Sequence, residues 1–109
     1  MSFISSTPPA PYYAVIFTSQ RTSLAENYED TAQRMAELAQ DEEGYLGIES
    51  ARDADGNGIT VSYWRSLEDI KRWKAHTEHL EAQANGRKKW YSAYKVRIVQ
   101  VLRDYDFSA

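Results

Sequence analysis

The sequence contains no cysteine, which excludes disulfide cross-links, zinc–thiolate clusters, iron–sulfur ligation and thiolate nucleophiles together. Any redox chemistry needs a different electron source. Nor is there an excess of positive charge: 13 Lys and Arg stand against 16 Asp and Glu, a net of −3. Proteins dedicated to nucleic acid draw much of their affinity from neutralising phosphates, so that class falls away. Long hydrophobic runs are missing too. No apolar stretch approaches the roughly 18 to 20 residues of a membrane span, and residues 1–11 lack the basic start and apolar middle of a secretory signal. The expectation is a cytoplasmic protein that does not engage membranes. At 109 residues the chain has room for one domain and not for a two-domain cofactor enzyme.

Hydrophobic residues make up 42% and aromatic residues 13%, enough for an ordinary packed core. So short a chain buries only about two-thirds of its unfolded surface and gains from a partner subunit. Residues 1–11, rich in Ser, Thr, Pro and Ala, read as a flexible N-terminal arm, and 12–109 as the single domain. Tyr12 to Ser19 is apolar, aromatic and β-branched, the composition of a buried strand. Ser23 to Glu26 has the spacing of a capping box. Apolar residues then recur at helical intervals from Ala25 to Ala39, until Gly44 offers a left-handed stop. Tyr45 to Arg52 and Ile59 to Arg65 alternate with a period of two around a turn-forming segment, 53–58, and so form an antiparallel hairpin. Ser66 and Asp69 signal a second helix start, and Leu67, Ile70, Trp73, Thr77, Leu80 and Ala84 supply its inner stripe. The last stretch, Tyr94 to Phe107, alternates but changes phase near Ile98 and Val99. A bulge, or a strand serving two sheets, accounts for that change.

The order is strand, helix, strand, strand, helix, strand, which predicts an α+β, ferredoxin-like βαββαβ domain with an antiparallel four-stranded sheet. Both helices fall on one face, and nothing else in the chain is available for the other. A homodimer follows as the expected assembly.

Within this frame the segments 44–49, 59–64 and 66–70, then Trp73, His79 to Gln83, Gly86-Arg87 and Trp90-Tyr91, resemble the antibiotic biosynthesis monooxygenase domain family over about residues 12 to 106. The resemblance implies a dimeric α+β barrel with a pocket between each sheet and its own helices. Some members oxidise polycyclic phenols with O2 and no cofactor, and others degrade haem. The positions that in haem-degrading relatives hold an asparagine at the end of strand one and a histidine late in helix two read Ser19 and Gln83 here. The usual iron ligand is therefore replaced, with His79 one helical turn earlier, and no cofactor is expected.

His76 and His79 lie one helical turn apart, with Gln83 one turn beyond. A histidine there can serve as a general base near neutral pH, or can simply be a half-buried group bonded to a carboxylate or backbone. The resemblance covers His79, which is therefore the candidate catalytic base. Trp73, Trp64, Tyr63, Tyr91 and Gln83 are the candidate substrate-binding residues, because clustered aromatics can stack on a flat ligand; filling a core is their other use. The expected activity is oxidation of a small planar aromatic or phenolic substrate by O2. The alternatives are a non-catalytic dimeric module that binds a small ligand, and a haem-handling protein. Two histidines with no third ligand do not make a metal site.

Overall fold

The computed structural model describes residues 3–22, 36–84 and 90–109, with residues 79–84 described by their backbone alone. Four strands, β1 (Tyr12–Arg21), β2 (Tyr45–Arg52), β3 (Asn57–Trp64) and β4 (Tyr91–Val101), form one sheet in the order β2-β3-β1-β4. Every neighbouring pair is antiparallel. The first helix, α1, is seen over residues 36–40, and its expected start at Ser23 lies outside the described residues. The second helix, α2, runs Leu67–Ala84. This is the ferredoxin-like arrangement the element order predicts, in which each helical crossover leaves space for one intervening strand.

Register assigns each side chain to a face, because strand side chains alternate and cross-strand partners share a side. Tyr13, Val15, Phe17 and Ser19 of β1 align with Trp64, Ser62, Thr60 and Gly58 of β3 and with Gln100, Ile98, Val96 and Tyr94 of β4. This is the helix-bearing face, since the fully buried Trp64 stacks on Trp73 of α2 with ring centroids 5.9 Å apart. The opposite face carries Tyr12, Ala14, Ile16 and Thr18 of β1, Val61 and Tyr63 of β3, and Val99 and Val101 of β4.

Three expectations change. The bulge in the β1–β4 pairing falls at Gln20 and Arg21, and the register is unbroken from Ala93 to Val101. The phase change near Ile98 therefore marks a strand apolar on both faces, not an inserted residue. Leu67, expected on the inner stripe, is 53% exposed, because the first turn of α2 sits past the end of the sheet. The helix-free face is also not bare. Ser5 in the arm donates from its backbone to Glu49 (2.9 Å) and from its hydroxyl to the Ile48 carbonyl (3.2 Å), and Thr7 donates to the Tyr12 hydroxyl at 3.0 Å. Tyr12 in turn donates to Asp104, beyond β4. Arm and tail thus meet over one end of that face.

α2 begins where the sequence places it. The Asp69 amide donates to the Ser66 hydroxyl at 3.1 Å, and that hydroxyl donates to the Asp69 carboxylate at 2.6 Å. Asp69 is buried and also accepts from Arg72 at 2.9 Å, with Arg65 at 3.5 Å. The hydrogen bond from Ser66, then those from Arg72 and the charge of Arg65, hold its carboxyl below the ordinary carboxylate range. Gly44, at φ +83°, lets this carboxylate approach so closely that a Cβ there would collide with it.

Candidate functional site

Two groups of chemically capable side chains lie on the helix-bearing face, at opposite ends of the sheet. At the end where β3 runs into α2, Tyr45 meets Trp64 edge-on (5.8 Å), Trp64 stacks on Trp73, and Trp73 meets His76 edge-on (5.5 Å). The His76 Nδ1 lies 2.8 Å from Glu42. The Trp64 indole donates to the Ser62 hydroxyl at 2.9 Å. The ladder is closed around Trp64, which retains no exposure, while Tyr45, Trp73 and His76 are half-buried.

At the other end, the β2–β3 hairpin builds a polar centre. Asp53 accepts from the Asp55 and Asn57 amides (3.0 and 2.8 Å) and from the Asn57 side chain (3.1 Å), and Gly56 turns at φ +89°. These bonds, chiefly those from Asn57, hold the Asp53 carboxyl below its usual range. The Gly56 carbonyl accepts from the Arg21 amide at 2.9 Å and from the Arg52 guanidinium, tying the tip to the end of β1. Arg52 lies across Gly58, where a Cβ would come within 2.5 Å of its Cζ, and its Nη2 donates to the hydroxyl of buried Ser19 at 2.9 Å. A guanidinium thus crosses a whole strand because the residue beneath it has no side chain. Beside Ser19 stand Phe17, Tyr91 and Tyr94, with centroids 5.4, 5.4 and 5.9 Å apart. This is an aromatic wall next to a buried hydroxyl and a cation.

The predicted residues are divided between these places. Trp64 and Trp73 meet in the closed ladder. Tyr91 stands in the aromatic wall. Tyr63 is on the opposite face of the sheet, its hydroxyl donating to Glu49 at 2.6 Å; burial first, then that bond and the carboxylate's charge, raise its pKa above the usual tyrosine value. The side chains of His79 and Gln83 lie outside the described residues. Their backbone is on the second half of α2, which carries the chain from the Trp64 end of the sheet to Tyr91, opposite Arg21 at the hairpin end. Arg52 escapes the sequence reading. The signal is nevertheless there: it closes β2 on the inward parity of Ile48 and Ser50, and it faces a glycine across the hairpin.

On the helix-free side of the same end lies a trough of about 830 Å³, whose lining includes Thr18, Ala51, Ile59, Ala93 and Lys95. By register all five side chains point into it.

Among the described residues no group of three His, Cys, Asp or Glu side chains could hold a metal ion, and no described helix is long and apolar enough to cross a membrane. His79 and Gln83, the positions the resemblance ties to an iron ligand, have side chains outside the described residues. Among the described residues, the Ser19 hydroxyl is engaged by the Arg52 guanidinium, and the His76 ring is bonded to Glu42 at the far end of the sheet.

The fold is a small α+β one: an antiparallel ferredoxin-like sheet whose helix-bearing face holds aromatic rings beside buried Ser19 and half-buried Arg52. The chain belongs to the antibiotic biosynthesis monooxygenase family, whose model matches residues 11–85. It is 52% identical over 103 residues to the uncharacterized protein YqjZ of Bacillus subtilis, covering 94% of this chain and 90% of that one. Its fold is similar to that of PA3566 from Pseudomonas aeruginosa, at a TM-score of 0.67 and 20% identity, covering 90% and 99% of the two chains. It is similar also to that of SnoaB, a cofactor-independent oxygenase from Streptomyces nogalater, at a TM-score of 0.66 and 12% identity, covering 92% and 100% of the two chains.

Proposed function

We propose that the protein binds a planar phenolic compound against Phe17, Tyr91 and Tyr94 and directs its oxidation by O2 without a cofactor. The observation that carries this is the Ser19–Arg52 pair beside the aromatic wall, on the face that also bears α2. Flat rings stack on aromatics, and a phenolate oxygen needs a cation or hydroxyl to hold its charge away from water. We assign His79, on the second half of α2, as the proton acceptor, with Gln83 one turn beyond it. Trp73 and Trp64 support the helix rather than touch the ring, and Tyr63 acts from the other face of the sheet.

The base removes the phenolic proton, and the electron-rich anion passes one electron to O2. The resulting radical pair recombines at ring carbon, forming a carbon–oxygen bond. The peroxide anion takes the proton back from the base, and loss of water from the resulting hydroperoxide, with the hydrogen of the same ring carbon, leaves a quinone carbonyl, so one oxygen atom enters the product and the other leaves as water. The protein supplies proton removal, orientation and charge stabilisation.

The similarity of fold to the oxygenase SnoaB and the aromatic wall favour this chemistry. Oxygen consumption with a panel of hydroxynaphthalenes and anthrones tests it. We expect uptake that falls by about 10²-fold or more in Arg52→Met and His79→Ala. Uptake indifferent to both substitutions refutes the assignment, and tight binding with no uptake identifies a ligand-binding module instead. The same proposal includes a homodimer formed on the helix-free face in the cytoplasm. There Ile59 and Val99 remain 51% and 37% exposed despite the arm.

A further inference from the structure

We propose that the segment following β4 in one subunit seats in the trough of a second copy, so that residues 102–107 form an exchanged arm. The inference rests on the dimer proposed above and names what completes it. Leu102, Tyr105 and Phe107 are 76%, 88% and 77% exposed, and three large apolar side chains in so short a segment are costly to leave in water. Asp104 faces its own subunit, bonded to the Tyr12 hydroxyl. In an extended segment its neighbours of opposite parity, Tyr105 and Phe107, therefore point away from it.

The apolar trough is the complementary feature, and a chain cannot fill its own. Tyr12 pairs with Val101 and Gln20 with Ala93, so the tail leaves the sheet about 27 Å from the trough end. Asp104 is held at Tyr12, and Phe107, three residues on, reaches at most about 10 Å further. A two-fold axis running across the strands reverses one sheet over the other. It brings the Tyr12 end of each subunit, with its tail, over the hairpin end of its partner. Tyr105 and Phe107 then enter over Ala51, Ile59 and Ala93.

The absence of native cysteine makes a clean cross-linking test possible. An untagged Ile59→Cys chain and a tagged Phe107→Cys chain are mixed and oxidised. A disulfide-linked heterodimer is expected, with no internal bond in the Ile59→Cys/Phe107→Cys double variant at high dilution. In parallel, Tyr105→Ser/Phe107→Ser weakens self-association about tenfold or more by light scattering and dilution. A cross-link confined within one chain, or no cross-link with unchanged association, overturns the exchanged arm and leaves the dimer standing. A wild-type monomer at micromolar concentration overturns both.

Discussion

Replacing Gly44 by alanine should cost far more than a surface methyl group normally does, and the structure separates the cost into two parts. The backbone at this position has φ +83°, which an L side chain occupies at a cost of about 1 kcal/mol. The new Cβ also meets the Asp69 carboxylate and lies 2.8 Å from the Asp69 Cβ. Asp69 cannot swing aside cheaply: it is buried and takes hydrogen bonds from Ser66 and Arg72. Displacing it breaks the start of α2 and leaves a carboxylate short of partners, about 2 kcal/mol after allowing for the exposure of both arginines. The sum, about 3 kcal/mol, is a large share of the roughly 5–15 kcal/mol that holds a domain of this size. Urea unfolding followed by tryptophan fluorescence measures it, with the m-value as the check on two-state behaviour. The decisive comparison repeats Gly44→Ala in an Asp69→Ala background, where only the backbone part, about 1 kcal/mol, should remain. Equal costs in the two backgrounds refute the collision, and a cost below about 1 kcal/mol in the wild type refutes both parts.

Gly58→Ala should behave differently, because the group in its way is the tip of a flexible arginine: stability changes by less than about 1 kcal/mol, while binding of a planar phenol, read by fluorescence quenching, weakens about tenfold as Arg52 leaves Ser19. Acid titration of the fold should show the Asp69 contribution intact above the unfolded carboxylate range, near about pH 4, and lost as pH falls through its lower folded value; Asp69→Asn should flatten that limb. At the alkaline end the sign reverses. Tyr63, Tyr12 and Tyr45 are all raised by burial, so their stabilisation is complete below about pH 10 and declines above it. Glu49→Gln should advance ionisation of Tyr63, seen in the ultraviolet difference spectrum.

The sheet is legible because alternation is a local property: Ile59, Val61 and Tyr63 against Thr60, Ser62 and Trp64 can be separated by counting alone, and the register places them so. The Ser66–Asp69 cap is equally local. What counting cannot supply is which of two alternating faces takes the helices. For that reason the sequence groups Tyr63 with Trp73, although one residue's step along β3 puts it on the other side of the sheet. The phase change near Ile98 misleads for the same reason, since β4 turns Val96 and Ile98 to one face and Val99 and Val101 to the other and is apolar at both parities. The docking of the arm is hidden because its bonds join residues about 44 positions apart in the chain, with no pattern to announce them.

The placement of Arg52 follows from a conflict that the hairpin resolves. An inward-facing cation at the end of an edge strand has to reach water or a partner, since a buried charge without either is not tolerated. Here the loop supplies a carbonyl from Gly56, the neighbouring strand withdraws its side chain at Gly58, and β1 offers Ser19 two strands away. The hairpin turn itself is secured separately by the bonds of Asp53 to Asn57. Arg52 of β2, Gly58 of β3 and Ser19 of β1 thus form one row across three strands, and we read that row as the seat of a ligand rather than a source of stability. Ser19→Ala separates the two explanations: urea midpoints should move little, while phenol affinity should fall along with that of Gly58→Ala. A large loss of stability with affinity unchanged would make the row structural and return the site to the closed ladder around Trp73.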